Sequence, residues 1–309
     1  MSNIVILLST YNGSNYLNQQ LDSLLSQANT NFQIIARDDG STDDTLQILK
    51  SYNINVIPST LNLGACASFA ALLDYAVSKT DAHYFMFCDQ DDVWESNKIE
   101  KSLKAMIREE STHPYTPVLI HTDLQVVDDN LETIHESFMQ FQNIDYKYNA
   151  LNNLLIQNTV TGCTVMINRK LAEASLPIPN NATMHDWWLG LVASQFGRIV
   201  FTTGFTIKYR QHSSNTIGAS GFISMSALYK LYKIFRKKGL YLESMGANIK
   251  QAREFLDMYR CFLDNDTIQM LEDLVSMEDQ SFWQRRMILI KHRLLKQGIL
   301  RNIGLLFKI

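Results

Sequence analysis

Residues 89–92, Asp-Gln-Asp-Asp, set three carboxylates within four positions directly behind the apolar run "FMFC". Like charges this close raise one another's pKa, and keeping several of them ionised takes a cation or basic partners. Hard oxygen donors select Mg²⁺ or Mn²⁺, and Mg²⁺ commonly joins one or two carboxylates to substrate phosphates. The triplet Asp89, Asp91, Asp92 therefore points to a phosphorylated substrate. Its structural alternative is a solvated acidic turn, or a cap for the helix expected from about Glu95.

Five other clusters hold chemistry-bearing side chains. In "ARDDGSTDDT", residues 36–45, Gly40 and Ser41 suit a tight turn, and Thr42 or Asp43 can cap the following helix. Asp38 and Asp39 are not needed for either task, and a carboxylate there can accept the imide N–H of uracil or thymine. "STYNG", residues 9–13, brings Thr10, Tyr11 and Asn12 to where a nucleotide could lie, with Gly13 permitting a bend. "NLGACASF", residues 62–69, starts at Asn62 and opens a small-residue helix whose amino end suits anions or close core packing.

In "MHDWWLG", residues 184–190, a partly desolvated Asp186 would have its pKa raised toward the range of a general base, or would cap the helix. Trp187 and Trp188 are either core or an aromatic platform for a sugar ring. "YRQHSSNT", residues 209–216, offers Arg210 as a diphosphate clamp and His212 as a metal ligand or phosphate contact.

The elements that must position these residues alternate. "NIVILLST" and "FQIIARDD" read as strands around the amphipathic helix "NYLNQQLDSLLSQA", "INVIPS" as a third strand, "GACASFAALLDYAVSK" as a helix and "HYFMFC" as a fourth strand. A Rossmann-like, mostly parallel sheet flanked by helices is expected, with ligands beyond the carboxyl ends of its strands. The acidic cluster then sits at the ligand-binding edge. Further on, "PVLIHTDLQVVDD" and "TGCTVMIN" read as strands, "HDWWLGLVASQFG" as a helix and "RIVFTTGFTIKYRQH" as extended pieces, before the pattern becomes helical from about residue 216.

Charge divides at the same place. Residues 1–215 carry 13 Lys/Arg against 22 Asp/Glu, whereas 216–309 carry 15 against 9. Between residues 285 and 309 seven Lys/Arg and no acidic residue interleave with aliphatic side chains, the pattern of a helix at an anionic bilayer surface or of one packing in a homodimer. Cys66, Cys88, Cys163 and Cys261 show no CxxC spacing, as reduced thiols do. The start lacks a basic leader and cleavage site, and no run of about 18 apolar residues occurs, so a cytoplasmic protein at the inner face of the membrane is expected.

Taken in order and spacing, "STYNG", "DDGSTDDT", "NLGACASF", "CDQDDVW", "GCTVMI", "HDWW" and "YRQHSSNT" resemble the family 2 glycosyltransferases of GT-A fold, over about residues 3–216. The "DQDDVW" and "YRQHSSNT" forms look like the bacterial rhamnosyltransferase-like branch. The resemblance implies a GT-A domain over 1–215 and a helical region over 216–309. It implies donor contacts from Thr10, Tyr11, Asn12, Asp39, Asn62, Asp89, Gln90, Trp94 and Arg210, with Asp39 on the base. Asp91 and His212 would hold Mg²⁺ or Mn²⁺, Asp186 would be the catalytic base, and Trp187 and Trp188 would face the acceptor. His185 stands where the family often has Glu, which leaves any role for that position open.

The implied reaction is inverting transfer from a nucleotide-diphosphate sugar, dTDP-rhamnose or a UDP-hexose, to a glycan or lipid-linked acceptor. A non-transferring nucleotide-sugar binder or scaffold on the same fold is the alternative. A nucleotidyltransferase would carry a basic Gly-rich loop after the first strand, and "STYNGSNY" has no basic residue. Nucleic-acid binding is not expected, since no recognised module is present.

Overall fold

The computed structural model describes residues 3–57, 59, 61–212 and 240–309. The expected boundary at 215/216, the last part of the "YRQHSSNT" segment and the helix read at "MSALYKLYKIFRKKG" lie outside the described residues.

Four strands, β1 (Ile4–Thr10), β2 (Phe32–Asp38), β3 (Asn55–Ile57) and β4 (Tyr84–Cys88), form a parallel half-sheet in the order β3-β2-β1-β4. Their near-continuous apolar sequences match burial on both faces. In β1, Ile4, Ile6 and Leu8 point into one core while Val5 and Leu7 point into the other. Between these strands run α1 (Leu17–Leu25), α2 (Thr45–Ser51) and α3 (Ala65–Lys79). Helix α1 buries Leu17, Leu21 and Leu24, the i, i+4, i+7 spacing of a single face.

Beyond β4 the sheet becomes mixed, which the alternating pattern of the first hundred residues does not announce. Strand β5 (Val93–Trp94) is followed by α4 (Lys98–Thr112), β6 (Val118–Val127), β7 (Thr133–His135), α5 (Phe138–Gln142), α6 (Leu151–Leu154), β8 (Met166–Asn168), α7 (Arg169–Ser175), α8 (His185–Phe196) and β9 (Arg198–Arg210). The order β4-β8-β6-β9-β5 places β8 antiparallel to both β4 and β6, and β9 parallel to β6. "TGCTVMIN" is only partly strand, because Gly162–Thr164 makes a 3₁₀ turn before the three residues of β8. The carboxyl ends of β1, β2, β4 and β9 nevertheless converge on one edge.

The last helices are α9 (Leu240–Tyr259), α10 (Asn265–Val275), α11 (Phe282–Lys291) and α12 (Ile299–Lys308). They are a layer of the same core as the sheet: Met245, Phe255, Leu271, Leu289 and Leu305 pack in one cluster with Val5, Phe85 and Trp188. The Trp188 and Phe255 rings lie 5.8 Å apart edge to face, and Tyr259 lies 6.0 Å from Trp188. Among the described residues no helix is long and apolar enough to cross a membrane.

Since Trp188 ties α8 to α9, Trp188→Ala should cost about 3–5 kcal/mol, the usual price of emptying a buried indole site. Urea unfolding of the full chain measures it; a loss below 1 kcal/mol would mean the two layers do not share a core.

Candidate active site

The sheet edge carries a cavity of about 570 Å³, of the size that takes a small ligand. Its walls include Thr10 and Tyr11 after β1, Asp39 after β2, Asn62 and Ala65 at the start of α3, and Asp89, Gln90 and Asp91 after β4. Asn158–Gly162, His185, Asp186 and Trp187 close the other side. Residues from six chain segments are thus brought together by the crossing of parallel strands into helices.

The two acids of "RDD" separate cleanly. Asp38 accepts from the Thr10 hydroxyl (3.0 Å) and from the Ser41 N–H (2.8 Å) and hydroxyl (2.6 Å), so it holds the turn. Asp39 faces the cavity, ion-paired with Arg37 and accepting from the N–H groups of Leu63 and Gly64, each at 2.8 Å. Arg37 is buried and also donates to Ser68 (3.1 Å), Ser59 (2.7 Å) and the Leu61 carbonyl (3.0 Å). It was not among the expected site residues, although a cation in the buried half of a strand is a signal in itself. Arg37 fixes one carboxylate oxygen of Asp39 and the whole loop that carries Asn62.

Across the cavity floor Gln90 clamps the first loop, accepting from the Tyr11 N–H (2.8 Å) and donating to its carbonyl (2.9 Å). A Cβ on Gly13 would lie 2.2 Å from the Gln90 amide oxygen, so only glycine lets this amide cross.

Asp91 lines the cavity, and its carboxylate meets His212 Nε2 at 2.9 Å. Arg210 reaches the same place from below. Its guanidinium donates to the Asp91 carbonyl (2.9 Å), the Asp129 carbonyl (2.6 Å) and Gln19 (2.6 Å), and lies 4.7 Å from the Tyr16 ring.

Beneath lies Asp92, wholly buried, accepting from the Arg210 N–H at 3.2 Å. Burial, with Asp91 and Asp89 adding, pushes its pKa well above the usual carboxylate range. Buried Lys98 lies nearby with its ammonium 4.6 Å from the Trp94 ring, and burial lowers its pKa to about 8. Asp89 is pushed up to about 7 by burial first, then by Asp91 and Asp186.

At the opposite wall Asp186, 7% exposed, opens α8. Burial raises its pKa to about 7 against the opposing hydrogen bonds from the Trp187 and Gly162 N–H groups and Asn158. His185 beside it is packed between Phe69 (4.2 Å) and Phe87 (4.8 Å), and neither ring nitrogen has a hydrogen-bond partner. Burial drops its pKa to about 3, so it is a neutral imidazole. A Cβ on Gly162 would lie 2.9 Å from its Nε2 and 3.4 Å from the Asp186 Cβ. The glycine is therefore what lets this loop close on the start of α8, a second feature the sequence did not single out.

Four expected contacts lie elsewhere. Trp94 is 3% exposed, packed in the core below the site, so it is a structural indole and not a donor contact. Trp188 is fully buried, its N–H bound to the Ser175 carbonyl, and cannot face an acceptor. Arg210 is 1% exposed and braces the Asp91 backbone rather than clamping a diphosphate in the cavity. Asn12 is exposed outside the cavity wall, its side chain accepting from the Thr42 N–H at 2.8 Å, so it stitches two loops together.

A divalent cation fits one of two donor sets. Asp89, Asp92 and Cys163 have ligand atoms within 4.8 Å of one another, but burial holds the Cys163 thiol protonated, and a thiol suits Mg²⁺ or Mn²⁺ poorly. Asp91 lines the cavity and meets His212 Nε2 beside it, so a carboxylate oxygen and an imidazole nitrogen stand together as donors. The residues present fit an ion there.

The "Glycosyl transferase family 2" description matches residues 5–176. A dTDP-rhamnosyl transferase, RfbG of Shigella flexneri, is 29% identical over 249 residues, 75% of this chain and 80% of its own. WfgD of Escherichia coli, a UDP-Glc:α-D-GlcNAc-diphosphoundecaprenol β-1,3-glucosyltransferase, is 24% identical over 71% of this chain and 81% of its own. Among solved structures, the Pyrobaculum calidifontis mannosyltransferase PcManGT with GDP-Man and Mn²⁺ superposes with a TM-score of 0.51 at 12% identity, over 94% of this chain and 86% of its own.

Asp186 yields a pH prediction. Its folded pKa lies above the ordinary 3.8, so the folded state binds the extra proton and stability falls as pH rises from about 4 to 7. At 1.36 kcal/mol per pKa unit the cost of ionising it is about 4 kcal/mol at most. Asp186→Asn should therefore raise the melting temperature more at pH 8 than at pH 4; equal shifts would place Asp186 in water.

Proposed function

The chain belongs to glycosyl transferase family 2 and has the GT-A fold, and we infer that it binds a nucleotide sugar and acts in bacterial polysaccharide synthesis. From that premise we propose that it moves one sugar, with inversion, from a nucleotide-diphosphate sugar to a hydroxyl of a lipid-linked glycan. The observation that carries this reading is that Asp39, Asp89, Asp91 and Asp186 all line one cavity.

The roles follow from what each side chain touches. Asp39, steadied by Arg37, keeps accepting capacity for the imide N–H of the base, and Thr10 and Asn62 stand beside it on the same wall. Asp89 and Gln90 lie on the path from base to sugar. A divalent ion on Asp91 and His212 would supply positive charge to the diphosphate as it departs. Asp186, across the cavity, takes the acceptor proton: a carboxyl raised to about 7 is basic enough to accept it and ionised enough near neutral pH to start. His185, neutral and apolar in its surroundings, leaves that charge uncompensated. Trp187, half-buried on the same wall, offers its ring to the acceptor sugar.

For the donor we favour dTDP-rhamnose, because RfbG is named a dTDP-rhamnosyl transferase, with UDP-hexose as the competing outcome. A lipid-linked acceptor is favoured because WfgD is named for one.

Asp186→Asn should keep donor affinity and lower transfer by about 10² to 10⁴-fold, the ordinary worth of a general base. Unchanged turnover would remove Asp186 from the chemistry. Asp91→Ala should erase the Mn²⁺ dependence of donor binding in calorimetric titration, while Asp39→Ala should weaken binding of the free nucleotide with or without the ion. Screening donor hydrolysis over a panel of nucleotide sugars decides the donor; hydrolysis of none would overturn the enzyme reading.

A further inference from the structure

Helix α11 is apolar on two opposite faces. One face, with Leu289 buried and Ile288 beside it, packs against the body. The other holds Trp283 (73% exposed), Met287 (69%) and Ile290 (61%), spaced i, i+4, i+7 and so aligned in one stripe. Arg286 borders this stripe on one side, its guanidinium over the Phe282 ring, and Lys291 borders it on the other. A surface helix of a globular protein ordinarily shows water a polar face opposite its buried one. Here water meets an indole, a thioether and an aliphatic chain between two cations.

The charge around the stripe selects its partner. From residue 281 to 309 the chain has seven Lys/Arg and no Asp or Glu. Arg285 donates to the Gln280 and Glu278 carbonyls and Arg286 to that of Phe282, contacts with neutral acceptors, whereas Lys291 is ion-paired with Asp273 at 2.9 Å. On α12, Ile299 (80% exposed) and Phe307 (65%) add further apolar side chains. Exposed Trp and aliphatic groups interleaved with the basic side chains of an acid-free segment match an interface whose apolar interior lies beneath anionic headgroups.

We propose that α11, with its Trp283–Met287–Ile290 stripe, docks the protein on an anionic lipid surface. The loop after α11 is tied to the chain next to the cavity. Gln297, between α11 and α12, donates its N–H to the Gln157 amide oxygen at 2.9 Å, one residue before the cavity wall begins at Asn158. Asn152, on α6, donates to the Arg293 carbonyl at 3.0 Å. The loop that follows α11 is thereby tied to α6 and to the chain leading into the wall at residues 158–162.

The test uses the full chain and vesicles, with no activity readout. Wild-type protein should float with phosphatidylcholine vesicles containing phosphatidylglycerol, should not float with phosphatidylcholine alone, and should be released by salt. The triple variant Trp283→Ser, Met287→Ser, Ile290→Ser removes only side chains already in water, so its melting temperature should hold while vesicle affinity falls roughly tenfold or more. Arg286→Gln with Lys291→Gln should lower affinity for the anionic vesicles alone. Failure of the wild type to float, or equal flotation of the triple variant, overturns the proposal. So does a wild-type dimer in light scattering that the triple variant turns into a monomer, since the stripe would then be a contact between copies.

Discussion

Holding four carboxylates around one cavity, in a place largely withdrawn from water, is the constraint from which the arrangement of the site follows. Asp89, Asp91, Asp92 and Asp186 cannot all be ionised there without help. The fold answers with geometry and protons. Arg210 lends its N–H to Asp92 and its guanidinium to the backbone of Asp91, Lys98 sits in the core below, and two of the acids retain protons to near neutral pH. What remains at the cavity surface is a deficit of positive charge, which a metal–diphosphate complex is suited to fill.

The opposite wall solves a different problem with the same means. On the proposed reading Asp186 is the base, and its surroundings suit that: its neighbour His185 is kept neutral between two phenyl rings, and Gly162 allows a backbone to press against both. That reading divides leaving-group work at the sheet edge from proton transfer at Asp186 within one cavity. The two walls hang on different elements, the parallel strands on one side and α8 with the 158–162 loop on the other, and the C-terminal helices share a core with both.

Much of this was legible in the sequence. Short apolar runs ending in Asp clusters fixed the parallel half-sheet and the edge at which ligands lie, because strands buried on both faces leave no other pattern. Depth was not legible. Trp94 and Trp188 stand in site motifs just as Tyr11 and Trp187 do, yet the first pair is core and the second is cavity wall, a difference that depends on which way a single helix or strand end is turned. Arg210 looked like a clamp because it stands two residues from His212, a spacing that shares one face of a strand; β9 ends at Arg210, and its guanidinium lies beneath the site on the Asp91 and Asp129 carbonyls. Asp38 and Asp39 could not be told apart by spacing, since their roles were assigned by Arg37 and by loops 24 residues further along. "TGCTVMIN" read as a strand, but the antiparallel direction of β8 was not legible, because three residues after a 3₁₀ turn carry too short a pattern to set their pairing.

The protons shared at the sheet edge have a consequence for thermodynamics. With Asp89 poised at about 7, a cation that settles among these acids at neutral pH expels hydrogen ions into the solvent. The heat of that encounter then carries the ionisation enthalpy of whatever buffer receives them, and affinity climbs with alkalinity even though no substrate group titrates.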